Sequence, residues 1–236
     1  MIRALIVDDE IHARDELEAL VADTGAFEIL EKCPDGLAAL RAIKREHPDV
    51  IFLDIQMPVI SGFELLSMID DEIMPVVVFV TAYDEYALKA FEENAVDYLL
   101  KPVEAERLAR TVQKLKKMLD NPAPTTYPVP DITRIPCIGT NRIKLVATAQ
   151  VEFVRSDVAG VYVVSADGEF FTELTLKVLE TRTPLVRCHR QFLVNIDRVD
   201  SIVLHENQAG HMQMKSGKTV PVSRRYLKKI KEELGF

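Results

Sequence analysis

A chain of 236 residues, 48% hydrophobic and 28% charged, has the composition of a soluble globular protein with room for two ordinary domains, which excludes wholesale disorder. Its formal charge of -8 hides a split, with -12 over residues 1–120 and +4 over residues 121–236, so an acidic half precedes one able to meet phosphates. Cys33, Cys137 and Cys188 form no C-x-x-C pair, Ile2 to Val7 is too short an apolar run for a signal peptide, and no run approaches a membrane span, so a cytoplasmic, reducing setting without a membrane anchor is expected.

The first half alternates strand and helix patterns. Ile2 to Val7 reads as a strand running into Asp8-Asp9, and Ala13, Leu17, Leu20 and Val21 then recur at the spacing of one buried helical stripe. Phe27 to Cys33 reads as a second strand. Asp35 can cap the following helix, whose buried face is Leu37, Leu40 and Ile43 and which Pro48 stops. Val50 to Leu53 then runs straight into Asp54. A continuous apolar run predicts a strand buried on both faces of a parallel sheet, and such a strand has few reasons to end in a carboxylate. Asp54 either opens a turn before Pro58 and Gly62 or is a reactive group at the sheet's carboxyl edge, where open α/β sheets bind ligands. Ser61-Gly62-Phe63-Glu64 has the form of a capping box and starts the next helix. Val76 to Val80 predicts a fourth strand ending at Thr81, and Asp84 to Glu93 a helix. Asp97 to Leu100 predicts a short fifth strand ending at Lys101, and Leu108, Val112, Leu115 and Leu119 a last helix. Five βα units in a row predict a doubly wound parallel sheet.

One edge of that sheet receives Asp8, Asp9, Asp54, Thr81 and Lys101. Three carboxylates raise one another's pKa unless a cation sits among them, and Mg²⁺, which takes oxygen ligands and phosphate oxygens, is the natural one. Lys101 and the Thr81 hydroxyl supply what a phosphoryl group needs. Plainer readings exist: helix caps for Asp8 and Asp9, a β-branched strand residue for Thr81, a solvated charge for Lys101, core for Tyr98. Together these residues resemble the receiver domain of bacterial two-component response regulators, over residues 1 to about 118. The resemblance implies a flavodoxin-like domain in which Asp54 accepts a phosphoryl group from a sensor histidine kinase. It implies Mg²⁺ held by Asp8, Asp9, Asp54 and the backbone carbonyl of Gln56, switch roles for Thr81 and Tyr98, and a cis peptide at Lys101-Pro102. Haloacid dehalogenase-like phosphatases would need an aspartate where Gln56 stands, so no turnover is expected beyond slow loss of the chain's own phosphoryl group.

Residues 122–130, PAPTTYPVP, hold four prolines and predict an extended spacer. Domain bounds of 1–118 and 134–236, with a linker at 119–133, follow. Beyond it the period shifts to 2, with Val151 to Arg155 and His211 to Lys215 as half-buried strands and turns at Ala166-Asp167-Gly168 and Ser216-Gly217. Helices are expected from Thr175 to about Thr181 and at the C-terminus, where Leu227, Ile230 and Leu234 share a face. Two basic runs, 187–191 and 223–229, suit DNA, since arginine can address guanine and lysine phosphate, although solvated faces would look the same.

The run Arg187-Cys188-His189-Arg190-Gln191-Phe192-Leu193-Val194-Asn195 is similar to the signature of LytTR DNA-binding domains. This implies a mostly-β domain that places loops in successive major grooves of promoter DNA. Arg190 and Arg224 match base-contacting positions, with Arg187, Arg225 and Lys228 in the same basic runs. The 157–160 loop, ending at Gly160, matches a third contact, and His189 and Asn195 order the fold. The similarity to regulators joining the two domains continues through Phe171 to Leu176 and Thr219 to Lys228. A phosphorylation-activated transcription regulator is implied, homodimeric when phosphorylated, with Glu92, Glu93 and Asp97 meeting Arg107, Arg110 and Lys114 across a two-fold axis. A receiver with a protein-binding output domain is the alternative.

Overall fold

The apolar runs of the first half become five parallel strands: β1 (Ile2–Val7), β2 (Phe27–Cys33), β3 (Val50–Leu53), β4 (Val76–Thr81) and β5 (Asp97–Leu100), in the sheet order β2-β1-β3-β4-β5. The structure is a computed structural model that describes residues 1–82, 97–120, 129–140, 142–204 and 210–233. It divides into two units, Met1–Pro130 and Asp131–Phe236. The helix expected from Asp84 to Glu93 and most of the proline-rich spacer lie outside the described residues.

In the first unit β3 and β4 are buried along their whole length, as strands covered on both faces must be. Phe52 is fully buried and meets Phe27 edge-on, and burial of each such side chain is worth about 1.5–3 kcal/mol. Four helices are described: α1 (Ile11–Asp23), α2 (Gly36–Glu46), α3 (Gly62–Met68) and α4 (Ala105–Asp120). Asp35 caps α2 by accepting from the Ala38 N–H at 2.8 Å, and His47 closes it in a left-handed conformation just before Pro48. Ser61 and Glu64 form the expected capping box of α3. On α4, Leu108, Val112 and Leu115 pack into the core with Leu17 and Val21 of α1.

The second unit is antiparallel. Its strands include β6 (Arg134–Ile138), β7 (Ile143–Ala147), β10 (Gly168–Thr172) and β13 (Val199–Leu204). The elements that position its basic residues are β8 (Val151–Asp157), β9 (Gly160–Ser165), α5 (Leu176–Arg182), β11 (Val186–His189), β12 (Phe192–Val194), β14 (Gly210–Met214), β15 (Thr219–Val222) and α6 (Arg224–Glu233). A seven-stranded sheet runs β11-β12-β8-β9-β10-β6-β7 and a three-stranded sheet β13-β14-β15. Thr175 caps α5 through the Val178 N–H at 3.1 Å. Phe153, Cys188, Val194, Met212, Met214, Val222 and Ile230 share one core cluster. β14 alternates as expected, Met212 and Met214 inward. Val151 to Val154 does not: all four are buried. Its second face is covered, because Glu152 turns inward to accept from Ser216 Oγ at 2.6 Å and Lys218 Nζ at 3.3 Å. Leu227 packs beside buried Ile230, while Leu234 lies outside the described residues.

Candidate functional site

Strand register brings the acidic residues together. Val7 pairs with Leu53, and the Asp54 N–H donates to the Val7 carbonyl at 2.8 Å, so Asp8 and Asp54 leave adjacent strands at one level. Asp8, Asp9 and Asp54 each bring a carboxylate oxygen within 4.8 Å of the others. Asp8 and Asp54 are buried and Asp9 is exposed. Thr81, buried at the end of β4, accepts the Lys101 N–H at 2.9 Å through its carbonyl, and the Lys101 ammonium reaches back 2.7 Å to Asp8 Oδ2 and 2.7 Å to Asp54 Oδ2. Burial alone would lower the Lys101 pKa, but the bonds to Asp54 and Asp8 outweigh it and hold it above its ordinary value.

A cleft of about 570 Å³ opens beside this group, lined by Asp9, Asp54, Gln56, Thr81 and Lys101 and, on its apolar side, by Leu17, Leu20 and Val103. The Gln56 N–H points at Asp54 Oδ1 at 3.3 Å. The Lys101-Pro102 peptide is cis, as the resemblance implies. An all-oxygen donor set of three carboxylates suits a hard cation such as Mg²⁺ over metals that seek nitrogen or sulfur.

Three contributors escaped the sequence reading. The Glu10 N–H holds Asp8 Oδ1 at 2.9 Å, and Arg14 Nη1 holds the Asp8 carbonyl at 2.5 Å. At Gly62 an added Cβ would stand 2.4 Å from the Asp54 carbonyl oxygen, so only glycine lets α3 begin against that turn. The Gly62 position inside the capping box was the available signal.

Tyr98 is half-buried on β5 with the Arg107 guanidinium 5.8 Å from its ring, beside a smaller cavity of about 230 Å³ lined also by Leu100, Pro102 and Glu104. Asp97, Arg107 and Lys114, expected to meet across a two-fold axis, meet here within one chain. Asp97 is buried and accepts from Arg107 Nη1 at 2.8 Å, Thr111 Oγ1 at 2.8 Å and Lys114 Nζ at 3.1 Å. Burial would raise its pKa, yet these donors hold it below 3.8. Glu92 and Glu93 lie outside the described residues.

In the second unit three chain turns converge. The Ser156 N–H donates to the Gln191 carbonyl at 2.8 Å, tying the β8–β9 turn to the β11–β12 turn, and the Ser223 N–H donates to the Cys188 carbonyl at 3.0 Å, setting the start of α6 beside them. Exposed Val158, Arg190, Arg224 and Arg225 stand on these turns, with Lys228 one helical turn further along α6. His189 Nδ1 accepts from the Gln191 N–H at 3.2 Å, and buried Asn195 donates to the Val151 carbonyl at 3.0 Å, so both order the turns. Burial, then the charge of Arg190, pushes the His189 pKa down. Gly160 has φ +134° and lies where a Cβ would meet the Phe171 ring at 2.6 Å. Arg187 is engaged inside the chain, Nε on Glu180 at 2.8 Å and Nη1 on the Arg190 carbonyl at 3.1 Å.

Residues 4–113 match the response regulator receiver domain and residues 141–235 the LytTr DNA-binding domain. A Vibrio cholerae protein described as an uncharacterized response regulatory protein is 53% identical over 236 residues, covering all of both chains. The chain belongs to the LytTR-type response regulators. The transcriptional regulatory protein BtsR of Escherichia coli K12 is 48% identical over 239 residues, again across both full lengths. The crystallised response regulatory domain of mrkE from Klebsiella pneumoniae is 36% identical, with a TM-score of 0.45, over 50% of this chain and 98% of that one.

As a LytTR-type response regulator the chain is a DNA-binding transcription regulator governed by phosphorylation, with a flavodoxin-like receiver and a β-rich output domain. Among the described residues no helix is long and apolar enough to cross a membrane.

Proposed function

We propose that this response regulator takes a phosphoryl group onto Asp54 from a sensor histidine kinase of the BtsS type and, so modified, controls transcription at promoter DNA. The observation that carries the reading is the Lys101 ammonium held 2.7 Å from both Asp54 and Asp8 at the edge of an open cleft. A carboxylate oxygen of Asp54 attacks phosphorus as the nitrogen–phosphorus bond of the donor breaks, leaving an acyl phosphate with close to two negative charges where the carboxylate carried one. Asp8, Asp9 and Asp54, with the Gln56 carbonyl, would hold Mg²⁺, which offsets that charge when bound. Lys101 exchanges the carboxylate for a phosphoryl oxygen and the Thr81 hydroxyl supplies a second donor. Tyr98 then turns toward the space Thr81 vacates, re-shaping the β4–β5 end of the domain.

In the output domain Arg190 and Arg224 address base edges, Arg225 and Lys228 neutralise phosphates, and the 157–160 turn, Gly160 included, makes the third approach. Arg187 contributes through the Arg190 turn that it holds. The receiver spans 1–118, the linker 119–133 and the output domain 134–236; phosphorylation favours a homodimer, and the protein works in the cytoplasm. Labelling by a radioactive acyl phosphate in the presence of Mg²⁺ tests the first step. The wild type should be marked and Asp54→Asn, which is nearly isosteric, should not; a variant labelled to the wild-type extent ends the assignment.

A further inference from the structure

A carboxylate stands between two of the basic elements. Glu180 on α5 accepts from Arg187 Nε at 2.8 Å with one oxygen, and its other oxygen lies 3.9 Å from Lys229 Nζ on α6. The two arms differ in weight. Arg187 is only 12% exposed, whereas Lys229 is 52% exposed and its long, solvated contact contributes little. The Arg187 guanidinium is a rigid fork: with Nε fixed on Glu180, its Nη1 is fixed on the Arg190 carbonyl at 3.1 Å. A lysine ammonium has no such planar geometry.

A negative charge beside a phosphate-facing surface lowers the local positive potential and works against DNA affinity of every kind. We infer that Glu180 is a positioning residue for sequence recognition: acting through Arg187, it sets the height and direction of the Arg190 turn so that the Arg190 side chain meets a base edge in register with Arg224. The inference rests on the DNA reading of Arg190 and Arg224 given above. It separates two quantities that a general structural role would move together. Without the clamp, specific binding weakens because Arg190 is no longer aimed, while non-specific binding holds or tightens because a repulsive charge is gone.

The test uses the full-length chain, a duplex that this chain selects from a random-sequence pool, and a scrambled duplex of the same composition. Glu180→Ala should weaken binding to the selected duplex about tenfold, the scale of one misaimed base contact. On the scrambled duplex it should bind equally well or up to roughly twofold tighter, with no loss of salt slope, because no phosphate contact is removed. Parallel losses on both duplexes, or an unchanged ratio between them, would overturn the clamp. Should Glu180→Ala fail to fold, Arg187→Lys interrogates the same bridge, since it keeps the charge and removes the fork; it should lower the same ratio, and an unchanged ratio refutes the inference. A wild-type chain that selects no duplex would instead refute the underlying DNA reading, which keeps the two failures apart.

Discussion

Replacing Lys101 with methionine keeps the bulk of the stem and removes one charge from the centre of the receiver site. Two contacts of 2.7 Å are lost, to side chains that are 3% exposed at Asp8 and 9% at Asp54, and three carboxylates within 4.8 Å are left facing one another. Stripping one partner from a buried ion pair costs about 3–5 kcal/mol; because Lys101 keeps 20% of its side chain in water, a loss of about 2–3 kcal/mol is expected. Mg²⁺ then has no built-in competitor among these oxygens, so the variant should bind it roughly tenfold more tightly, about 1.4 kcal/mol. At Mg²⁺ about one hundred times the variant's Kd, binding to the folded state returns about 2.7 kcal/mol to the variant and about 1.4 kcal/mol to the wild type, so the gap narrows by about 1.3 kcal/mol, roughly half of the loss. Urea unfolding followed by far-ultraviolet circular dichroism, with chelator and with Mg²⁺, reads both effects. The variant should fall well below the wild type in chelator and approach it in Mg²⁺. A deficit that persists unchanged in saturating Mg²⁺, or a weaker Mg²⁺ midpoint than the wild type's, would refute the reasoning.

Gly62→Ala should cost about 1–3 kcal/mol and slow acyl-phosphate labelling, because its Cβ would meet backbone rather than a yielding side chain at 2.4 Å from the Asp54 carbonyl; an unchanged melting curve and labelling rate would show that the turn gives way freely. Asp97→Asn should destabilise the receiver by roughly 2 kcal/mol near neutral pH, through the loss of charge-assisted bonds to Arg107 and Lys114. The Asp97 pKa is depressed, so its contribution is present above the ordinary value of 3.8 and fades as pH falls through the lower folded value; the gap between variant and wild type in urea should therefore close as pH falls below 3.8, and a pH-independent gap would contradict the assignment. Arg224→Ala should cost about 1–3 kcal/mol on the selected duplex and relax one base position, whereas Lys228→Ala should weaken selected and scrambled duplexes alike and reduce the salt slope by about one. Equal losses on both duplexes for Arg224→Ala would make it a phosphate contact.

Much of the receiver was legible because a strand buried on both faces can be written only as a continuous apolar run, and Val50 to Leu53 and Val76 to Val80 are such runs. Their charged ends then stand out against the apolar background. The caps at Asp35 and Ser61 were legible for a related reason: the groups they satisfy lie within three residues. What joins distant residues was not. Lys101 reaches Asp54 across 47 positions, and the Asp97 cluster gathers α4 donors that, as bare sequence, equally suit a partner chain. The alternation expected at Val151 to Arg155 fails because a period of 2 presumes one wet face, and nothing local announces that Ser216 and Lys218 fold over Glu152. Arg187 looked like one more basic residue of its run because its acceptor, Glu180, sits in the preceding helix.

The central claim is that phosphorylation at Asp54 governs sequence-specific DNA binding by the output domain. Binding of the full-length chain to its selected duplex, measured with and without acyl phosphate in Mg²⁺ for the wild type and for Asp54→Asn, tests it most directly. The account predicts that acyl phosphate tightens wild-type binding to the selected duplex and leaves Asp54→Asn unchanged. Equal tightening of both proteins, or no response of the wild type while Asp54 is labelled, would contradict it.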